Sequence, residues 1–331
     1  MYNLPPALAD VLTLPSPLES MTLDGSLARI WCKRDDLIHP IISGNKWRKL
    51  SQTITALGHR RVTQDSVHLI SFGGGHSNHL HALAYTCFVL GYEFTAIVRG
   101  HYTGNETPCL QDLAAWSSHI IYTDKSQYKR YTDPSHPEHQ ASIQALQTSY
   151  PNAIILPEGG YSVDALAGSA MCMTEIATQL PQAYDKYSAV PQKVLVVSPV
   201  ATGATLAGLV AAKYCDVLGI AVLKGQGYLE DNVSELLCDE HYDRDNTWWI
   251  NHDHVTRGYA KSSPVLDGFI TSWNAANPTL LVESCYSGKA LWGLSELVKS
   301  GHLKHYTDIV FLHTGGLQAT RNLSTNSIDK K

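Results

Sequence analysis

The chain has 331 residues, 44% hydrophobic and 17% charged, with a formal net charge of −5. That length suffices for one large or two ordinary domains with real cores, and the balance reads as soluble and globular rather than disordered. Slight acidity excludes a basic footprint for nucleic acid and a polybasic membrane patch, so neither partner is expected.

Residues 1–6 carry no basic segment ahead of a long apolar stretch, so no signal peptide is expected. Val67–Ser71 reads as a buried strand and Asn78–Leu90 as a helix rich in Ala and Leu. Phe94–Val98 is the next strand. Thr107–Trp116 is a helix with Pro108 in its first turn, where the missing N–H costs little. His119–Tyr122 and Ala153–Leu156 are further strands. The polar stretch Lys125–His139 reads as surface loop leading into a helix to about Tyr150. Asp164–Gln179 is helical, Val194–Val197 a strand, Ala204–Tyr214 a helix and Ala221–Leu223 a strand. Gly288–Lys299 reads as a helix and Ile309–Leu312 as a strand. Val194–Ala212 is the most apolar window, but Pro199 and Thr202-Gly203 interrupt it, which fits a strand plus a helix better than a membrane span. The alternation predicts α/β layers with mostly parallel sheets.

The seven cysteines are odd in number and form no C-x-x-C pair, which argues against a disulfide scaffold or a thiolate zinc site. Free thiols suit a reducing cytoplasm. The 16 histidines raise a metal site at His76, His79 and His81 or at His252-Asp253-His254. His81 falls off the face shared by His76 and His79, and no H-E-x-x-H occurs, so surface histidines are the default and no metal is expected.

Glycine-bearing turns follow three apolar strands: Gly73-Gly74-Gly75, Ala201-Thr202-Gly203-Ala204-Thr205 and Thr314-Gly315-Gly316. In open α/β sheets ligands sit beyond the carboxyl ends of strands. Amides at 202–205, with the hydroxyls of Thr202 and Thr205, can hold a phosphate at a helix N-terminus; an ordinary strand–helix turn is the alternative. Gly44-Asn45-Lys46 puts a lysine in a tight turn among Lys33, Arg34, Arg48 and Lys49. Either this is a solvated basic surface, or the neighbouring cations lower the Lys46 pKa toward the free amine that attacks a carbonyl cofactor. Ser77-Asn78-His79 is either a plain N-cap or a carboxylate site built on the same geometry.

Taken together, Lys33-Arg34-Asp35-Asp36-Leu37, Gly44–Leu50 and Gly74–His79 resemble the 1-aminocyclopropane-1-carboxylate deaminase and D-cysteine desulfhydrase family. So do Pro157–Gly160, Thr202–Gly208, Tyr286–Ala290 and His313–Gly316, all in family order over nearly the whole chain. The resemblance implies fold type II (tryptophan synthase β-like): two three-layer α/β domains with mostly parallel sheets. Residues 1–51 and 161–331 would form a large domain that binds pyridoxal 5′-phosphate, and 52–160 a small one. Lys46 would be the Schiff-base lysine, Asn78 would bond the cofactor's phenolic oxygen, and Ala201, Thr202, Gly203, Ala204 and Thr205 would hold its phosphate. Ser77, Asn78 and His79 would bind the substrate carboxylate, Tyr259 and Tyr286 would flank the substrate, and Ser77 and Tyr286 would assist proton transfer. The family implies a homodimer.

The deaminases place a glutamate facing the pyridine nitrogen where Ser287 stands, and tend to have leucine at Thr314. A serine leaves the ring a weaker electron sink, which suits β-elimination better than opening a cyclopropane. The implied activity is therefore D-cysteine desulfhydration, with the cyclopropane deaminase as alternative and a non-catalytic metal- or ligand-binding member of the fold as second alternative. The stretch ahead of Tyr259 lacks the family's usual Gly-Pro.

Overall fold

The computed structural model describes residues 4–42, 44–60, 67–184, 193–238, 247–256, 258 and 260–320. Contacts divide the chain into two compact units, one made of residues up to Leu12 with Leu50–Tyr161, the other of Thr13–Lys49 with Ser162–Thr320. Among the described residues the strands are β1 (Leu18–Met21), β2 (Arg29–Lys33), β3 (His68–Gly74), β4 (Glu93–Arg99), β5 (His119–Thr123), β6 (Ala153–Leu156), β7 (Val194–Val200), β8 (Asp216–Ala221), β9 (Trp248–Asn251) and β10 (Asp308–Leu312).

The first unit holds a parallel sheet ordered β5-β4-β3-β6. Continuously buried, mostly apolar runs such as Leu69-Ile70-Ser71-Phe72 suit strands covered on both faces. Ile70, Phe72, Ile97, Tyr128 and Leu146 form one of its cores. The helix Asn78–Leu90 begins and ends where the sequence places it, because Ser77 accepts from Leu80 N and Gly91 takes the left-handed C-terminal position. The stretch expected as surface loop is instead helical over Lys125–Thr132. Asp124 caps it by accepting from Gln127 N, and Tyr128 anchors it in the core.

The second unit holds a sheet ordered β1-β2-β10-β7-β8-β9, antiparallel only between β1 and β2. Its core includes Cys32, Leu195, Val197, Leu218, Ile220, Leu291, Leu294 and Phe311. The strand expected at Ala221–Leu223 ends rather than begins at Ala221, since the pairing with β7 runs from Asp216 to Ala221. The helix expected to reach Tyr214 stops at Ala211, and Lys213 turns left-handed beyond it. β10 lies between β2 and β7 in parallel register, Leu312 opposite Lys33 and Phe311 opposite Val197. That order brings the turns after β7 and β10 to one edge of the sheet, where α/β folds bind ligands.

Candidate active site

Lys46 lies in the first turn of the helix Asn45–Arg60. Gly44, ahead of it, has φ +63° and packs so closely that a Cβ there would sit 1.9 Å from the Thr314 carbonyl oxygen. Asn45 N–H reaches the same oxygen at 3.4 Å. The lysine turn therefore rests directly on the turn after β10. Gly44→Ala is expected to destabilise the protein by about 2 kcal/mol or more, from left-handed strain and overpacking together. Thermal unfolding against wild type measures it, and an unchanged melting temperature would contradict the close approach.

The cations around Lys46 are not a solvated surface. Lys33, Arg34, Arg48 and Lys49 are 0%, 3%, 1% and 5% exposed. Three of them pair with carboxylates. Lys33 lies 2.5 Å from Glu175, Arg34 2.6 Å from Glu19 and 2.8 Å from Asp36, and Arg48 2.7 Å from Asp35 and 2.6 Å from Glu175. The Lys46 amine donates to Asn45 Oδ1 at 2.8 Å and lies 5.9 Å from the Tyr286 ring centroid. Burial lowers its pKa to about 8, against the opposing pull of Cys285 and Glu283. Neighbouring cations, the cause expected from the sequence, do not make this shift; burial does, because most of those cations are already neutralised by partners.

Helix Ala204–Ala211 opens directly after Gly203, which has φ +91°. That conformation favours glycine and bends the chain from β7 into the helix, leaving first-turn amides without intrahelical acceptors. Thr205 Oγ1 accepts from Asn45 Nδ2 at 3.0 Å, and Thr202 Oγ1 from Lys49 Nζ at 3.3 Å. Ala201 and Thr202 keep partial exposure; Gly203, Ala204 and Thr205 are buried. One helix N-terminus, two hydroxyls and a lysine thus gather at one turn. Burial, and then the charge of Lys46, hold the Lys49 pKa well below its ordinary value, so an anion between the two amines would relieve both.

Thr314 is 7% exposed in the turn after β10. Tyr286 occupies the N-cap position of the helix Ser287–Lys299. Ser287 is fully buried and its hydroxyl donates to Glu283 Oε1 at 3.2 Å. Tyr259 lies outside the described residues. All the other second-unit residues expected in the site cluster at this sheet edge and at the heads of these helices.

In the first unit, Ser77 caps Asn78–Leu90 and accepts from Leu80 N at 3.2 Å. Asn78 keeps partial exposure in the first turn. The His79 ring points inward, with Nε2 2.8 Å from Ser71 Oγ, and His81 Nε2 lies 2.8 Å from Asp112 Oδ2. Among the described residues no three His, Cys, Asp or Glu side chains gather as metal ligands.

Sequence reasoning assigned no role to Asn45, Lys49 or Glu283. Lys49 sits three residues after Lys46, hence on the same helix face. Glu283 precedes Ser287 by four residues, within reach of a helix start. Both spacings were readable, but a buried lysine and a capping acid look like ordinary surface charges in a sequence.

The left-handed Gly203, the two threonine hydroxyls, the Lys49 side chain and the buried Lys46 amine fit a phosphate-bearing aldehyde. Known proteins agree. A bifunctional D-cysteine desulfhydrase/1-aminocyclopropane-1-carboxylate deaminase of Arabidopsis thaliana is 27% identical over 92% of this chain and 77% of its own length. A D-cysteine desulfhydrase of Klebsiella pneumoniae is 26% identical over 94% of both chains. A putative 1-aminocyclopropane-1-carboxylate deaminase of Pyrococcus furiosus is 26% identical over 88% of this chain and 86% of its own. A crystal structure of an ACC deaminase homologue superposes with a TM-score of 0.71 at 22% identity, covering 97% of this chain and 96% of that one, so the fold is shared. The family model of pyridoxal-phosphate dependent enzymes matches residues 12–215, which carry Lys46, the Ser77 turn and the 201–205 turn; the chain belongs to that family.

Proposed function

We propose that this enzyme is a lyase that converts D-cysteine and water to pyruvate, hydrogen sulfide and ammonia. The observation that carries this reading is the buried Lys46 amine, whose pKa of about 8 leaves it reactive near neutrality, at the head of a helix beside an anion-ready turn. Bound there, pyridoxal phosphate supplies an electron sink for the pair left when a bond to the substrate's α-carbon breaks. Lys46 holds the cofactor's aldehyde carbon. The 202–205 amides and hydroxyls hold the phosphate together with Lys49, whose Nζ already reaches Thr202. Asn78 bonds the phenolic oxygen, and Ser287 and Thr314 border the ring.

The Ser77–His79 helix start binds the substrate carboxylate through its amides, since the His79 ring is turned to Ser71. Once displaced by the substrate's amine, Lys46 Nζ takes the α-proton. Tyr286, whose ring neighbours that amine, assists proton transfer with Ser77. Thiolate leaves from the β-carbon. The choice of D-cysteine over the cyclopropane amino acid rests on Ser287 and Thr314. Pyruvate and sulfide release from D- and L-cysteine, set beside ammonia release from the cyclopropane amino acid, tests it. Faster turnover of the cyclopropane substrate would overturn the choice.

The reading includes a cytoplasmic homodimer. No described helix is long and apolar enough to cross a membrane, and six described cysteines are free thiols. A monomer mass by sedimentation equilibrium would end the dimer part.

Lys49→Met is expected to weaken cofactor binding by roughly tenfold to a hundredfold, the worth of one charge-assisted hydrogen bond. Equilibrium titration with pyridoxal phosphate and with pyridoxal separates the causes. The loss should appear for the phosphorylated form and be nearly absent for the other. Equal losses would remove Lys49 from the phosphate site.

A further inference from the structure

Glu283 is 3% exposed at the start of the helix Ser287–Lys299. Its Oε1 accepts from the amides of Tyr286 and Ser287, each at 2.8 Å, and Oε2 from that of Cys285. Among the described residues no cation lies within ion-pair distance of it. Its neighbours are all donors, the environment of an ionised carboxylate. Burial pushes its pKa up and these donors pull it down, with burial the larger effect.

Lys46 and Lys289 feel the Glu283 charge, Lys49 lies beyond Lys46, and Cys285 meets Glu283 through its backbone amide. The Lys289 ammonium is engaged with the carbonyls of Val222 at 3.1 Å and Gly258 at 2.7 Å. The Lys46 amine is engaged with Asn45.

The Ser287 hydroxyl is held by Glu283 on two sides. It accepts from the Glu283 N–H at 3.1 Å and donates to Glu283 Oε1 at 3.2 Å. A hydroxyl has one proton and two lone pairs. With the proton aimed at Glu283 and one lone pair occupied, Ser287 meets any further partner as an acceptor.

We propose that Glu283 and Ser287 form a relay that keeps the cofactor's ring nitrogen protonated, Glu283 holding the Ser287 proton while Ser287 Oγ accepts from the nitrogen's N–H. The relay rests on the placement of Ser287 beside that nitrogen in the proposed function. Glu283 acts through Ser287 and is a positioning residue. A serine alone can turn its proton toward the ring and leave the nitrogen neutral. A serine backed by a buried carboxylate favours the opposite state, and a protonated ring is the stronger electron sink. With the relay in place the ground for preferring D-cysteine narrows to Thr314, and Glu283 becomes a determinant of substrate range.

The test loads full-length wild type, Glu283→Gln and Ser287→Ala with pyridoxal phosphate labelled at the ring nitrogen and reads that nitrogen by NMR near neutral pH. Wild type is expected at the protonated position, and both variants at the neutral one, a tenfold or greater fall in the protonated fraction. A neutral nitrogen in wild type overturns the relay while leaving the cofactor assignment intact. So does a protonated nitrogen in Ser287→Ala. A shift in Ser287→Ala with none in Glu283→Gln assigns the effect to Ser287 alone and also overturns it. If Glu283→Gln fails to fold, Glu283→Asp, which draws the carboxylate back from Ser287, takes its place: a lowered protonated fraction is expected, and an unchanged one overturns the relay. A wild type that takes up no cofactor on Lys46 removes the functional reading, and the relay with it.

Discussion

Arg48→Met is expected to lower stability by about 3–5 kcal/mol, the cost of leaving buried carboxylates without their cation. Arg48 is 1% exposed and bonds Asp35 at 2.7 and 3.0 Å and Glu175 at 2.6 and 2.9 Å. Glu175 keeps Lys33 after the substitution, but Asp35, fully buried, is left with the neutral Ser16 hydroxyl at 2.6 Å on its carboxylate. A fall in melting temperature on the order of 10 °C corresponds to that loss. The damage reaches the site, because the Asp35 carbonyl accepts from Gly44 N at 2.8 Å and so fixes the lysine turn. The same network predicts acid sensitivity. Burial pushes the Glu175 carboxyl up, but Arg48 and Lys33 outweigh it and hold its pKa at about 2, below the ordinary 4.5. Its folded pKa is depressed, so its contribution is full above about 4.5 and is lost as pH falls toward about 2. Denaturant unfolding of wild type and Arg48→Met between neutral and acid pH checks both points. Equal stability of the two proteins at neutral pH would contradict the network's role.

Lys46→Ala is expected to lower kcat/KM by at least about 10²–10⁴, the share of a positioned acid–base group, with further loss from the missing covalent link. Far-ultraviolet circular dichroism should not change, since among the described residues Lys46 donates only to its neighbour Asn45. In wild type, covalent uptake of cofactor should quicken as pH rises through about 8, where the buried amine loses its proton. Uptake that quickens only near the ordinary 10.5 would place the reacting lysine elsewhere.

What the sequence discloses here is local. Ser77 and Gly91 bound a helix by caps that act within a few residues, and the turns after β7 and β10 carry their glycines next to the strands they end. Those features locate Lys46, the 202–205 turn and the 286–287 pair. Long-range partners are hidden. Arg48 looks like part of a basic surface until Glu175, 127 residues away, is found against it. Tyr128 makes Lys125–Thr132 a helix by entering a core contributed by other strands and helices. β1, β2 and β9 are four or five residues long, too short for periodicity to announce. Ser287 reads as a free hydroxyl in the sequence, and only the folded chain shows its proton directed at Glu283.

Lys46 is the proposed anchor of the cofactor. Borohydride reduction of the pyridoxal-phosphate-loaded protein, followed by peptide mass spectrometry, reads the attachment point directly. The predicted result is a phosphopyridoxyl group on Lys46. Label on Lys49, on Lys289 or on no lysine would contradict the account.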